Sequence, residues 1–160
     1  MTPTATRLQY TNGYLELGMF NEAAEEMDYI IGDDRMSLRV MRMRMKMYKQ
    51  AEYWPELEAV SKFVAKQAPR KPEGWVNWSN ALREQDKIED AKKVALHALE
   101  RHPNNARLRF SLGCYCSLLG EVQEAKEHVR KAVQLDKSLQ QASVDDPDLD
   151  NLWEGIASIE

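Results

Sequence analysis

Few residues in this chain have the types and spacing that chemistry demands. Two cysteines, Cys114 and Cys116, lie two apart in a helical pattern, where they point to different faces and cannot bridge. Buried small side chains are the expectation for both, and neither they nor His97, His102 and His128 form a metal-ligand pattern. No phosphate loop, nucleophile elbow or zinc spacing appears, so no cofactor and no enzymatic activity are expected. What stands out instead is positive charge between Arg39 and Lys49, in the run Met41-Arg42-Met43-Arg44-Met45-Lys46-Met47. Such a cluster can bind carboxylates or phosphates. A sequence pI near 5.5 and few aromatics beside the cluster argue against nucleic acid.

The opposite charge collects at the end of the chain. Residues 145–160 carry six acidic residues and no Lys or Arg, so a net charge of −4 over 160 residues leaves the first 144 at +2. With 43% hydrophobic and 30% charged residues the composition is that of a folded soluble domain. No apolar run approaches the ~20 residues of a membrane span, and the N-terminus has no basic, apolar leader. Cytoplasmic residence and no membrane partner are the expectations.

The elements that position these groups recur at a fixed interval. Written in registers of 34 from Thr4, Leu38, Pro72 and Ala106, the chain aligns with itself. Position 20 holds Ala23, Leu57, Ala91 and Ala125; position 27 holds Ile30, Val64, Ala98 and Ala132; position 8 holds Thr11, Met45, Ser79 and Gly113. Position 17 holds Phe20, Trp54, Ile88 and Val122, and Pro69 and Pro103 share position 32. A period of this length marks a repeat array. Within each copy two apolar stripes at helical spacing flank a short polar turn, which predicts an antiparallel helix pair. Small residues such as Ser79, Ala91, Gly113 and Ala125 mark where paired helices approach closely. Gly18, Gly120 and Asp86 suit left-handed turn positions; Glu52 does not, which predicts an irregular second turn. The Met/Arg alternation reads as helix, with Met41, Met45 and Tyr48 on one face and Met43 and Met47 facing elsewhere. The four tryptophans, Trp54, Trp75, Trp78 and Trp153, fall on core stripes. After residue 139 a linker through Ser143 leads to an expected helix with Asp146 as N-cap and Pro147 at its first position. Its stripe of Leu149, Leu152, Trp153 and Ile156 would cover the open face of the last repeat.

Leu112-Gly113, Gly120-Glu121-Val122-Gln123-Glu124-Ala125 and Ala132 in the fourth copy, with Trp75, Ala91, Ala98-Leu99 and Pro103 in the third, are similar to the tetratricopeptide repeat (TPR). The first copy joins through Leu17-Gly18-Met19-Phe20-Asn21-Glu22-Ala23, and the second keeps Tyr48, Trp54 and Pro69. The resemblance covers residues 4–139, as repeats 4–37, 38–71, 72–105 and 106–139, with 140–160 as linker and acidic capping helix. It implies an all-α, right-handed α-solenoid whose concave face, lined by first helices, receives a peptide or helix of a partner without catalysis.

By that family's logic register positions 2, 5, 6, 9, 12 and 13 face the groove. They include Asn12, Arg39, Arg42, Met43, Lys46, Asn77, Asn80, Arg83, Arg107 and Phe110. An acidic or carboxylate-terminated segment of a protein partner is the implied ligand. The family's carboxylate clamp falls on Arg42, Lys46, Asn77, Arg107 and Ser111: one identity, two like-charge replacements and two departures. The other readings are a chaperone or assembly factor for a secretion or multiprotein system, and a nucleic-acid-binding helical repeat. The acidic segment could instead dock into the basic groove of its own or another copy, and self-association would follow from the second.

Overall fold

The computed structural model describes residues 1–153. Among them are nine α-helices and two 3-10 segments, and no strand. The helices are α1 Thr4–Glu16, α2 Phe20–Asp28, α3 Leu38–Gln50, α4 Trp54–Gln67, α5 Pro72–Glu84, α6 Ile88–Arg101, α7 Ala106–Leu118, α8 Val122–Leu135 and α9 Leu139–Asp145. The 3-10 segments are Gly32–Met36 and Pro147–Leu152. First helices begin at Thr4, Leu38, Pro72 and Ala106, and second helices at Phe20, Trp54, Ile88 and Val122, each at the interval of the sequence register.

One backbone device repeats at every intra-pair turn. Gly18, Glu52, Asp86 and Gly120 share one register position and all adopt positive φ, between 58° and 80°. The following amide then bonds back five residues: Met19 to Tyr14, Tyr53 to Tyr48, Lys87 to Leu82 and Glu121 to Cys116, at 2.8–2.9 Å. This left-handed C-terminal motif satisfies helix-end carbonyls that would otherwise be orphaned. The irregular turn expected at Glu52 is therefore absent. Pairing of α3 with α4 holds Glu52 at φ 58° despite the side-chain penalty, which is about 1–2 kcal/mol for a non-glycine residue.

The chain divides into two compact units, residues 1–77 and 78–160. In the first, Leu15, Ala23, Met27, Ile30, Val40 and Met47 form a core against which Leu8, Phe20, Met43 and Tyr48 pack. The methionines of α3 thus serve two sides. Met43 and Met47 belong to the core with α1 and α2, while Met41 and Met45 are buried elsewhere on the helix. Because α3 packs on α1, α2 and α4 together, its apolar surface is wider than one stripe, which explains the alternating sequence. Trp75 is buried and its Nε1–H donates to the Pro69 carbonyl at 3.2 Å, while Gly74 lets α5 start against α4: a Cβ there would lie 2.5 Å from the Ala65 amide nitrogen.

In the second unit Leu82, Ile88, Ala91, Ala95, Leu112, Cys114, Tyr115, Cys116, Ala125 and Val129 form the core, joined by Leu149 and Leu152. A Cβ on Gly113 would meet Val129 Cγ2 at 2.6 Å, so α7 and α8 approach closely there. The C-terminal region differs from its sequence expectation. Ser143 belongs to a helix, α9, rather than to a linker, and residues 147–152 wind as 3-10 rather than α. Asp146 does cap the segment, accepting from the Asp148 amide at 2.9 Å, with Pro147 behind it. Leu149 and Leu152 are 0% and 1% exposed, and Trp153 packs on the same core while its Nε1–H donates to the Ser143 carbonyl. Ile156 lies outside the described residues.

Candidate functional site

In the first unit, helical spacing sets Arg42 and Lys46 one turn apart on α3. Lys46 Nζ donates to Asn12 Oδ1 at 2.5 Å, and Asn12 Nδ2 donates to Glu16 at 2.8 Å, linking α3 to α1. Arg42 pairs through Nε with Glu73 at the start of α5. Both partners keep more than a third of their side-chain surface exposed, at 38% and 37%. Asn77 turns its amide to the Glu73 carbonyl of its own helix, at 2.8 Å. Arg39 reaches Asp34 at 3.3 Å with about half of each side chain exposed. Thr4 also donates to Asp34, and that bond, more than the nearby Arg39 charge, holds the Asp34 carboxyl below its ordinary value. These cations therefore carry one weak, solvent-exposed partner each. Met43 differs: it is half-buried and contributes to the core.

The second unit treats its arginine differently. Arg83 on α5 makes a two-pronged bond with Asp148, Nε to Oδ2 at 2.9 Å and Nη2 to Oδ1 at 2.5 Å. Asp148 is 17% exposed, and this bond raises the Arg83 pKa. The segment carrying it lies along α7: Cys114 Sγ contacts Asp146 at 3.7 Å and the Asn151 amide reaches the Ser117 carbonyl at 3.5 Å. Asn80 accepts from the Tyr115 hydroxyl at 3.1 Å, and burial pushes that phenol up to about 12. Asn80 and Arg83 are thus engaged within the fold. Phe110 packs on the core, while Arg107 is exposed. Sequence reasoning left out Glu73 and Asp148 as the acids that meet Arg42 and Arg83. Glu73 carried a signal, its opposite charge at a face position of the next copy; Asp148, 65 residues from Arg83, carried only the general one of an acidic segment on a chain with a basic face.

Two clusters bring a thiol near paired carboxylates: Cys114 with Asp146 and Asp148, and Cys116 with Glu121 and Glu124. Each already holds an internal cation. Arg83 sits on Asp148, and Lys92 bonds Glu121 and lies 3.3 Å from Glu124. Burial raises both thiols, Cys116 to about 11, so they are neutral donors rather than thiolate ligands at neutral pH.

The sequence profile of the tetratricopeptide repeat matches residues 94–127, from mid-α6 into α8. No curated protein matches by sequence. Solved structures share the fold at low identity. MamA of MSR-1 superposes with a TM-score of 0.74 at 20% identity, over 86% of this chain and 79% of that one. PilF of Pseudomonas aeruginosa gives 0.76 at 17% identity, over 96% and 69%. Residues 94–127 thus match a tetratricopeptide repeat, and the chain shares the fold of these solved structures. A further TPR likeness is the TPR2B domain of yeast Sti1, in a complex with pHsp70, at a TM-score of 0.62 and 20% identity over 77% of this chain and 98% of that one. The fold is accordingly the helical solenoid of helix pairs seen in those structures. Among its described residues no helix is long and apolar enough to cross a membrane.

Proposed function

We propose that the chain is a non-catalytic interaction module that holds an acidic peptide segment of a protein partner on its first-helix faces. The observation that carries this reading is the chain's own residues 146–152. An aspartate is gripped by Arg83 through two bonds while two leucines a few residues away are buried on α7. That is acidic-peptide recognition carried out internally. Arg39, Arg42 and Lys46 in the first unit offer the same donor chemistry with exposed partners that an incoming carboxylate can displace at little cost. The yeast TPR2B domain in its pHsp70 complex supports a protein or peptide as the kind of partner.

Binding should weaken as salt screens these charges, chiefly through slower association. Arg42→Glu with Arg107→Glu reverses two cations that lie outside both cores. A partner recovered by affinity capture should lose at least tenfold in affinity, a change of about 1.4 kcal/mol or more, while the thermal melt stays within about 0.5 kcal/mol of the parent. Full affinity in the double variant would place the partner on the second-helix faces instead.

A further inference from the structure

Two residues beyond Arg42, about 200° around α3, stands a second arginine whose environment is unlike that of the first. Arg44 shares its register position with Trp78, which packs on the second core, and Leu112, which is fully buried. An arginine at such a position brings five N–H donors into an apolar setting, where each donor left without an acceptor is costly. Its Nη2 is buried and has no hydrogen-bond partner among the described residues. The side chain lines a cavity of about 420 Å³ between α3, α4 and the Gly32–Met36 segment. Met36, Met41, Tyr48, Val60 and Phe63 supply apolar walls, and Arg35 and Glu56 are exposed residues of its lining. The lining charge is net positive, and the volume lies in the ~300–1,000 Å³ range of pockets that hold a ligand.

We propose that this cavity is a second binding site, taking a segment of a partner protein that presents a carboxylate beside a bulky apolar side chain. The carboxylate meets Arg44, and the apolar side chain lies against Met36, Met41 and Phe63. Charge complementarity selects the occupant: an apolar segment alone would leave the guanidinium orphaned, and a phosphate alone would leave the walls unfilled. The site is independent of Arg42 and Lys46, which lie elsewhere on the same helix.

The probe is the blocked tripeptide acetyl-Phe-Asp-Phe-amide, with acetyl-Phe-Asn-Phe-amide as its uncharged match, titrated into the full chain labelled at its methionine methyls. The Met36 and Met41 methyl signals should shift saturably while Met27, in a separate core, stays still. The asparagine peptide should bind about tenfold more weakly, as expected for losing a charge-assisted hydrogen bond. Arg44→Met should erase that preference without unfolding the chain, since apolar residues occupy its register position in other copies. Arg44→Lys is the second variant; it keeps the charge but not the planar fork, and should weaken the aspartate peptide selectively. Still Met36 and Met41 methyls, equal binding of the two peptides, or an unchanged preference in Arg44→Met and Arg44→Lys would overturn the proposal. So would Met36 and Met41 shifts that appear on concentrating the chain alone together with a rising mass in solution, since the occupant would then be a second copy.

Discussion

The two units place arginines on first helices, Arg42 at register position 5 of α3 and Arg83 at position 12 of α5, and then handle them in opposite ways. In the first, Arg42 meets Glu73 in the open, with more than a third of each side chain in water. In the second, Arg83 grips Asp148, and the segment that delivers this aspartate buries Leu149 and Leu152 on the same core. The difference teaches that a basic first-helix face is not a binding site by virtue of its charge. It becomes a held contact when apolar anchors beside the acid make the complex worth more than an exposed ion pair, which contributes about 0–1 kcal/mol by itself.

The largest effect should come from removing an anchor. Leu149→Ala deletes a fully buried side chain from the second core and should cost about 2–4 kcal/mol, read as a lowered melt. Truncation after Val144 removes Leu149, Leu152 and Asp148 together, and should both destabilise the chain further and raise its mass in solution as α7 is uncovered. A truncated chain that melts like the parent would mean that the segment merely rests on α7.

How much of this the sequence disclosed depends on the range of the interaction. Helix starts and left-handed turns repeat because each pair solves the same local problem, so their 34-residue register is visible in residue type. Glu52 was misjudged because propensity at one turn yields to the pairing of two whole helices. Met43 and Met47 do face away from Met41 and Met45, and the alternation does not say what they meet: a helix packed on both sides needs two apolar faces, and the second is the core with α1 and α2. The grip of Asp148 on Arg83 spans 65 residues and breaks the register: the opposite charges of the last segment and the first-helix face are legible in sequence, but only the folded chain pairs these two residues.

Double-mutant cycles sharpen the contrast between the ion pairs. Arg83→Met with Asp148→Asn should give a coupling of about 1–3 kcal/mol, as for a shielded, two-pronged charge-assisted bond. Arg42→Met with Glu73→Gln should give under about 1 kcal/mol. Equal couplings would erase the distinction between a held and an open face.

A pH difference separates the units further, because all three histidines lie beyond residue 77. His128 is half-buried, and burial, followed by the Arg109 charge, lowers its pKa from 6.5; Glu127, Glu124 and Lys131 act more weakly. The unfolded chain therefore takes up its proton before the folded chain does. Stability from this residue is full above about pH 6.5 and is lost as pH falls toward the lowered folded value. Exchange protection of α7 and α8 amides should drop between pH 7.5 and 5.5, and His128→Gln should flatten the change. The lowered carboxylates Glu121, Glu127 and Asp136 act in the same direction, but nearer pH 4 and below.

The smallest effect tests the turns themselves. Glu52 and Asp86 hold the same left-handed position in the two units, at φ 58° and 61°. Aspartate tolerates this region better than glutamate, because its short polar side chain can bond locally. Glycine relieves the strain at either site but frees the unfolded chain, which offsets part of the gain. Glu52→Gly should therefore stabilise by about 0.5–1 kcal/mol and Asp86→Gly by less than half of that, read from paired thermal melts. If Asp86→Gly gained as much as Glu52→Gly, local side-chain bonding would play no part in the second unit's turn, and the two turns would be equivalent although their residues differ.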